Sequence, residues 1–274
     1  MPSTCCIAHY AIIHLPFVPA SNPTQRTTSK SLASNGRSDN VSLVYDELRG
    51  LIVWGQLPPG ARIAERAVAD RLGLSRTPVR SALHRLQQEG FVASVGRGAD
   101  QRLIVSPLTA EDGRELFLIV GHLEGLAARM TASLPKARRD QIVGRLRTLN
   151  RELAIESRKQ IGINRIFDLD MRFHATYVEH VAGPRIAALH RAVKPQTERY
   201  VRLYVSTLLN ELPKSVKEHE VIVRAIARGD GRAAQHAVET NWHNAAARLA
   251  KVIAEHGERG SWHSEGIASR AKRR

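Results

Sequence analysis

Two short helical patterns between Glu65 and Gly90 sit so close together that only a tight turn can join them. The first runs from Glu65 to Leu72 with Ala67, Val68 and Leu72 on one face, and Gly73 follows where a helix ends best on a left-handed residue. The second opens at Ser75, an N-cap residue type, and carries Pro78 early, where a missing amide costs little. It continues through Val79, Ala82, Leu83 and Leu86 to Gly90. Two helices joined by a short Gly-containing turn form a helix-turn-helix. Behind it, Phe91 to Val95 and Arg102 to Val105 are β-prone runs around Gly96-Arg97-Gly98-Ala99-Asp100, which predicts a wing. Ahead of it, Val41, Val44, Tyr45, Leu48, Leu51 and Ile52 recur at three and four. A helix over 41–54 is expected there, capped by Asn40 or Ser42 and ended by Gly55 and Pro58-Pro59-Gly60.

After Pro107 the strand signal stops and helical periodicity runs to about residue 258. Breaks at Leu134-Pro135, Gly183-Pro184 and Gly229-Asp230 divide it into helices over 109–133, 136–158, 162–182, 184–209, 213–228 and 231–256. The expected fold is mainly α: a winged helix-turn-helix with a small β wing, then an all-α bundle. Residues 1–40 read as a flexible extension, 41–106 as the winged domain, 107–258 as the bundle and 259–274 as a basic flexible tail with Arg270, Lys272, Arg273 and Arg274.

A net charge of +15 favours a polyanionic partner, nucleic acid above all. The two cysteines, Cys5 and Cys6, are adjacent and cannot staple distant segments, so a reducing cytoplasm fits. The apolar stretch from Ile7 to Ala20 is too short, and too interrupted by His and Pro, to be a membrane span. No membrane partner is expected.

The polar and apolar positions of Ser75-Arg76-Thr77-Pro78-Val79-Arg80 separate cleanly. Val79 turns inward, while Ser75, Arg76, Thr77 and Arg80 crowd the helix end that enters a major groove. Arginine there can meet guanine O6 and N7 in a bidentate pair, and hydroxyls suit phosphates. A surface helix with solvated arginines is the plainer alternative for this spacing. With Glu89-Gly90-Phe91-Val92 behind it, however, the segment resembles the winged-helix domain of the GntR family of bacterial transcription regulators. The helical remainder resembles the FCD ligand-binding domain of its fatty-acid-regulator-like branch. The resemblance implies operator contacts from Arg66, Ser75, Arg76, Thr77, Arg80 and the wing tip Gly96, Arg97 and Gly98.

In the bundle, Asp170 and His174 are one helical turn apart, a spacing that suits two ligands of one ion, and His219 follows on a later helix. A surface pair is the bland alternative. As metal ligands they suit Zn²⁺, Ni²⁺, Mn²⁺ or Fe²⁺. The FCD resemblance supports the metal, since that domain commonly uses an Asp-x-x-x-His pair and two later histidines. It places the last histidine at position 241, where this chain has Asn241, a weak fourth ligand; His243 lies about 200° further around the helix. Many relatives carry an arginine four residues before the glutamate corresponding to Glu124, and here that position is Val120. The effector pocket implied by the resemblance comprises Val120, Glu124, Asp170, His174, His219 and Asn241. Its ligand would be a small polar metabolite, an organic acid in many relatives.

The function expected is a sequence-specific, effector-controlled transcription regulator and repressor, working as a homodimer on a roughly palindromic duplex. A metal-dependent enzyme with an appended DNA-binding domain is the alternative from another class. It lacks a general base, because Glu220 points about 100° away from its neighbour His219 and Glu179 and Asp168 are poorly placed. Architectural DNA binding without an effector would leave the bundle idle.

Overall fold

In the computed structural model, which describes residues 35–159 and 162–261, the chain divides into two compact units that meet in sequence at Pro107 and Leu108. The first begins earlier than the apolar period indicates. Helix α1 spans Asn35–Val53, so Asn40 and Ser42 lie within it and cap nothing. Polar residues can extend a helix whose buried face starts later, and that face is Val44, Tyr45, Leu48 and Ile52. Residues 1–34 and 262–274, with the cysteine pair and the basic run at the C-terminus, lie outside the described residues.

Helix α2 is Glu65–Leu72, closed by Gly73 at φ 64°, and α3 is Arg76–Gln88. Strands β2 (Val92–Val95) and β3 (Arg102–Val105) pair antiparallel with Val92 opposite Val105 and Val95 opposite Arg102. A third strand, β1 (Arg62–Ile63), adds to β3 on its other side, giving the order β1-β3-β2. Two residues are too few to show alternation, which is why no sequence pattern announced it. Val79, Ala82, Leu83 and Leu86 of α3 and Phe91 close a core with α1 and α2, all nearly inaccessible to water.

In the second unit, α4 (Ala110–Ala132), α5 (Lys136–Lys159), α6 (Ile163–Glu179), α7 (Pro184–Leu208), α8 (Leu212–Arg228) and α9 (Gly231–His256) form an all-α bundle. Thr109 and Asp230 cap α4 and α9 by accepting from Asp112 N and Ala233 N. The bundle does not stop at 258. Leu108 and Arg259 exchange backbone hydrogen bonds of 2.8 and 3.1 Å, and Glu258 accepts from Ala110 N. Arg259 is thus tied to the start of α4, not part of a tail. Helices α4 and α9 approach closely because Gly121 has no side chain: a Cβ there would meet Trp242 Cβ at 2.8 Å. That approach brings the Trp242 indole to the centre of the bundle. Tyr200 fastens α7 to the start of α4, accepting from Thr109 N and donating to Asp112 Oδ2 at 2.6 Å.

Candidate functional site

The exposed end of the helix-turn-helix is organised by Glu65, the first residue of α2, to which the sequence pattern assigned no contact. Its carboxylate accepts from Arg80 Nε and from an Arg80 terminal nitrogen at 3.1 Å, and Arg76 approaches the same oxygen at 3.5 Å. Arg80's hydrogen bonds, ahead of the small opposing effect of burial, hold the Glu65 carboxyl below its ordinary value. One acid from α2 therefore gathers the two arginine forks of α3. Ser75, Arg76, Thr77 and Arg80 are all exposed, and Ser75 stands at the N-cap position without spending its hydroxyl on the cap. Arg66, 85% exposed, pairs only loosely with Asp70 at 3.8 Å. Gly96, Arg97 and Gly98 form the exposed wing tip. Gly96 has φ 87°, and a Cβ on it would lie 2.5 Å from Asp100 O, so the turn admits glycine alone.

Inside the bundle, Asp170, His174 and His219 each present a ligand atom, and these atoms lie within 4.8 Å of one another. Their tautomers are set by the residues behind them. Asn150 Nδ2 donates to Val216 O, which turns Asn150 Oδ1 to His219 Nδ1 at 3.1 Å. His219 therefore carries its proton on Nδ1. Its Nε2, 3.6 Å from Asp170 Oδ1, is fully buried with no hydrogen-bond partner. Burial, then the neighbouring His174, pushes the His219 pKa well below 6.5, so the ring is neutral and that lone pair is available. Phe173 stacks on the ring at 3.9 Å and fixes its plane.

His174 is oriented in the same way by a carboxylate. Its Nδ1 meets Glu124 Oε2 at 2.7 Å, leaving Nε2 to the cluster. Glu124 is wholly buried and also accepts from Tyr177 Oη, Trp242 Nε1, His190 Nε2 and Lys194 Nζ. Burial pushes its carboxyl up, but the Lys194 ammonium and His174 outweigh that and hold it well below the usual range. Burial also raises the carboxyl of Asp170, which has no such set of donors. A buried, unsatisfied imidazole nitrogen beside a carboxylate whose charge is opposed by burial is the donor set a divalent cation fits.

A cavity of about 80 Å³ opens beside the cluster, with Asp170, His174 and Asn241 on its wall. Asn241 Nδ2 donates to Glu218 Oε2 at 2.8 Å, which leaves the amide oxygen as the atom able to ligate. His243 is exposed, on the opposite side of α9 from this wall. Val120 and Glu124 are not among the lining residues: Val120 lies in the hydrophobic core, and Glu124 is enclosed by its five donors. His219 does not line the cavity either and reaches the cluster only through Nε2. These three positions share helix faces with lining residues but stand one layer deeper.

Residues 40–99 match the family described as bacterial regulatory proteins, gntR family, and residues 115–256 match the FCD domain. The chain belongs to the GntR family of bacterial regulators, in its FCD branch. An Agrobacterium vitis protein described as an "Uncharacterized HTH-type transcriptional regulator in the TAR-I ttuE-ttuC' intergenic region" is 31% identical over 158 residues, 58% of this chain and 88% of that one. A Paenarthrobacter nicotinovorans protein named "Probable D-xylose utilization operon transcriptional repressor" is 28% identical across 84% of this chain and 95% of its own. The fold is shared with E. coli McbR/YncC, at TM-score 0.59 and 20% identity over 77% of this chain and 97% of that structure.

This GntR-family protein is a DNA-binding transcription regulator and not an enzyme. Of the acids weighed as a general base, Glu220 is exposed and 3.8 Å from Arg224, Asp168 lies between Arg165 and Arg172, and Glu179 is exposed. Among the described residues, no helix is long and apolar enough to cross a membrane. The regulator also answers the missing arginine at position 120. The cation that faces Glu124 comes from α7, as Lys194, with His190 one turn before it. Neither residue carries a motif in the sequence.

Proposed function

We propose that the protein is an effector-controlled repressor that works as a homodimer on a roughly palindromic operator. In this reading Arg76 and Arg80 read bases, Ser75, Thr77, Arg66 and the wing tip Gly96-Arg97-Gly98 position the backbone, and Asp170, His174 and His219 hold one divalent ion with Asn241 as a weak fourth ligand. The repressor sense rests on the name of the P. nicotinovorans relative. The metal reading rests chiefly on the orphaned His219 Nε2 beside Asp170. The ion would supply a Lewis-acidic anchor for an acid ligand in the adjoining cavity. The chain's own residues orient the imidazoles and exclude water. The homodimer is supported by Leu118, Ile119, Leu126 and Met130, which leave apolar surface of α4 exposed at 36–40%. A ligand regulates only if it binds one arrangement of the DNA-binding domains better than the other.

Protein purified without chelator should contain about one Zn²⁺, Ni²⁺ or Mn²⁺ per chain by elemental analysis, and stripping it should lower the melting temperature by several degrees. Asn241→His should tighten binding and His243→Ala should not change it. No metal in the purified protein, with melting temperatures of wild type and Asn241→His both unmoved by added ions, would reduce the cluster to a polar wall.

Dimerisation has its own measurement. Light scattering at micromolar concentration should return about twice the 30.4 kDa chain mass, and a monomer both with and without operator would refute it.

A further inference from the structure

Away from the Asp170–His174–His219 end, the polar groups on the cavity wall are already engaged with one another. Arg248 donates from its two terminal nitrogens to Glu218 Oε1 and Oε2 at 2.8 and 3.0 Å, and to Ser215 Oγ at 3.2 Å. Asn241 and Asn244 donate their amide protons to the same Glu218. Four hydrogen bonds thus converge on the Glu218 carboxylate and hold Arg248 to it. Glu211 accepts from Lys214 at 2.7 Å. Trp242 spends its indole N–H on Glu124, 2.8 Å away, and offers the cavity only its ring. The remaining wall includes Phe117, Ile166, Phe167, Met171 and Leu212.

These facts constrain what can bind. Several hydroxyls buried against such a wall give up their water and compete for the few remaining partners, the Asn241 amide oxygen and the Ser215 hydroxyl, a loss of about tenfold for each group left unpaired. An aryl or alkyl group gains from the same burial. At the polar end, Asp170 repels a carboxylate unless a cation stands between them. We propose that the effector is an amphiphilic monocarboxylate with an aryl or branched-alkyl body lying among Phe117, Ile166, Phe167 and Met171. Its single acid group sits at the Asp170–His174–His219 end. Polyhydroxylated sugar acids, with more hydroxyls than the wall has remaining partners, bind more weakly. The inference rests on the preceding reading, that the cavity takes the effector and the cluster a divalent ion, and it adds the chemical class.

The test uses the full chain loaded with Ni²⁺ and three probes: phenylacetate, 4-methylpentanoate and D-gluconate. Phenylacetate or 4-methylpentanoate should raise the melting temperature by about 5–11 °C at a hundredfold excess over Kd, and gluconate should raise it by much less. The chelator-stripped chain should lose the response to both apolar acids. Met171→Gln keeps the length of a half-exposed side chain and should weaken the apolar acid about tenfold with Ni²⁺ affinity unchanged. Ala245→Leu fills the cavity from α9 and should abolish acid binding while the metal-induced shift persists. Gluconate binding as tightly as the apolar acids would overturn the class and leave the effector reading standing. Binding of Ni²⁺ with no response to any probe would also overturn the class. If neither Ni²⁺ nor any acid bound, this inference and the reading beneath it would fall together.

Discussion

Glu124→Ala is expected to destabilise the bundle by about 3–5 kcal/mol, the cost of breaking a buried ion pair from one side. The side chain is wholly buried, and its loss strands the Lys194 ammonium 3.1 Å away, the Trp242 and Tyr177 donors, and two histidines. Chemical denaturation followed by circular dichroism measures this directly. Glu124→Gln should lose much of the same stability, because it keeps the shape but removes the charge facing Lys194. The pH dependence has a definite sign. Glu124's folded pKa is depressed, so its contribution is fully present above the ordinary value of 4.5 and is lost as pH falls from there through the depressed value. The gap between wild type and Glu124→Gln should therefore narrow below pH 4.5 and stay constant above it. Lys194→Met in a Glu124→Leu background should recover part of the loss, since an apolar pair leaves no unpaired charge. A loss under about 1 kcal/mol for Glu124→Ala would show that water reaches this network.

Arg80→Ala should cost operator binding about 1–3 kcal/mol per half-site, and so roughly 2–6 kcal/mol in a dimer, with specificity relaxed at one base position in each half. Arg80→Lys should not rescue it, because an ammonium cannot repeat the two-pronged contact. Arg76→Ala should behave alike. Arg66→Ala and Arg97→Ala should instead weaken all sequences evenly and flatten the salt dependence. Fluorescence anisotropy on operator and scrambled duplexes, across a salt series, separates the two patterns. Equal losses on both duplexes for all four variants would mean that Arg76 and Arg80 do not read bases. Glu65→Gln provides an internal control: it unties Arg80 and Arg76 from α2 without removing either guanidinium.

Much of the fold was legible because local chemistry decides it. Gly73 after Leu72 and Pro78 within the first turn of α3 specify a turn and a helix start from sequence alone, and the α4–α9 boundaries follow the Gly, Pro and Asp residues that punctuate them. Where the signal was short or purely polar it failed, at the two-residue β1, the polar first turn of α1 and the Leu108–Arg259 bridge.

The candidate metal-ligating trio could be suspected because Asp170 and His174 are one turn apart on a single helix, a relation the chain carries in its own spacing. Their partners could not be read that way. Asn150, His190 and Lys194 meet His219 and Glu124 across 69, 66 and 70 residues of chain, brought there by how α5, α7 and α8 lie against α4. The amino-acid sequence determined the helix-turn-helix, its arginines and the candidate ligands, since short-range spacing sets helix faces and caps. Only tertiary structure decided that His219 is a neutral imidazole with a free Nε2, that Glu124 is an ionised anchor with Lys194 as its counter-charge, and that Arg248 on the cavity wall is tied to Glu218. Protonation states and cavity chemistry depend on burial and on partners distant in sequence, and those exist only once the helices have packed.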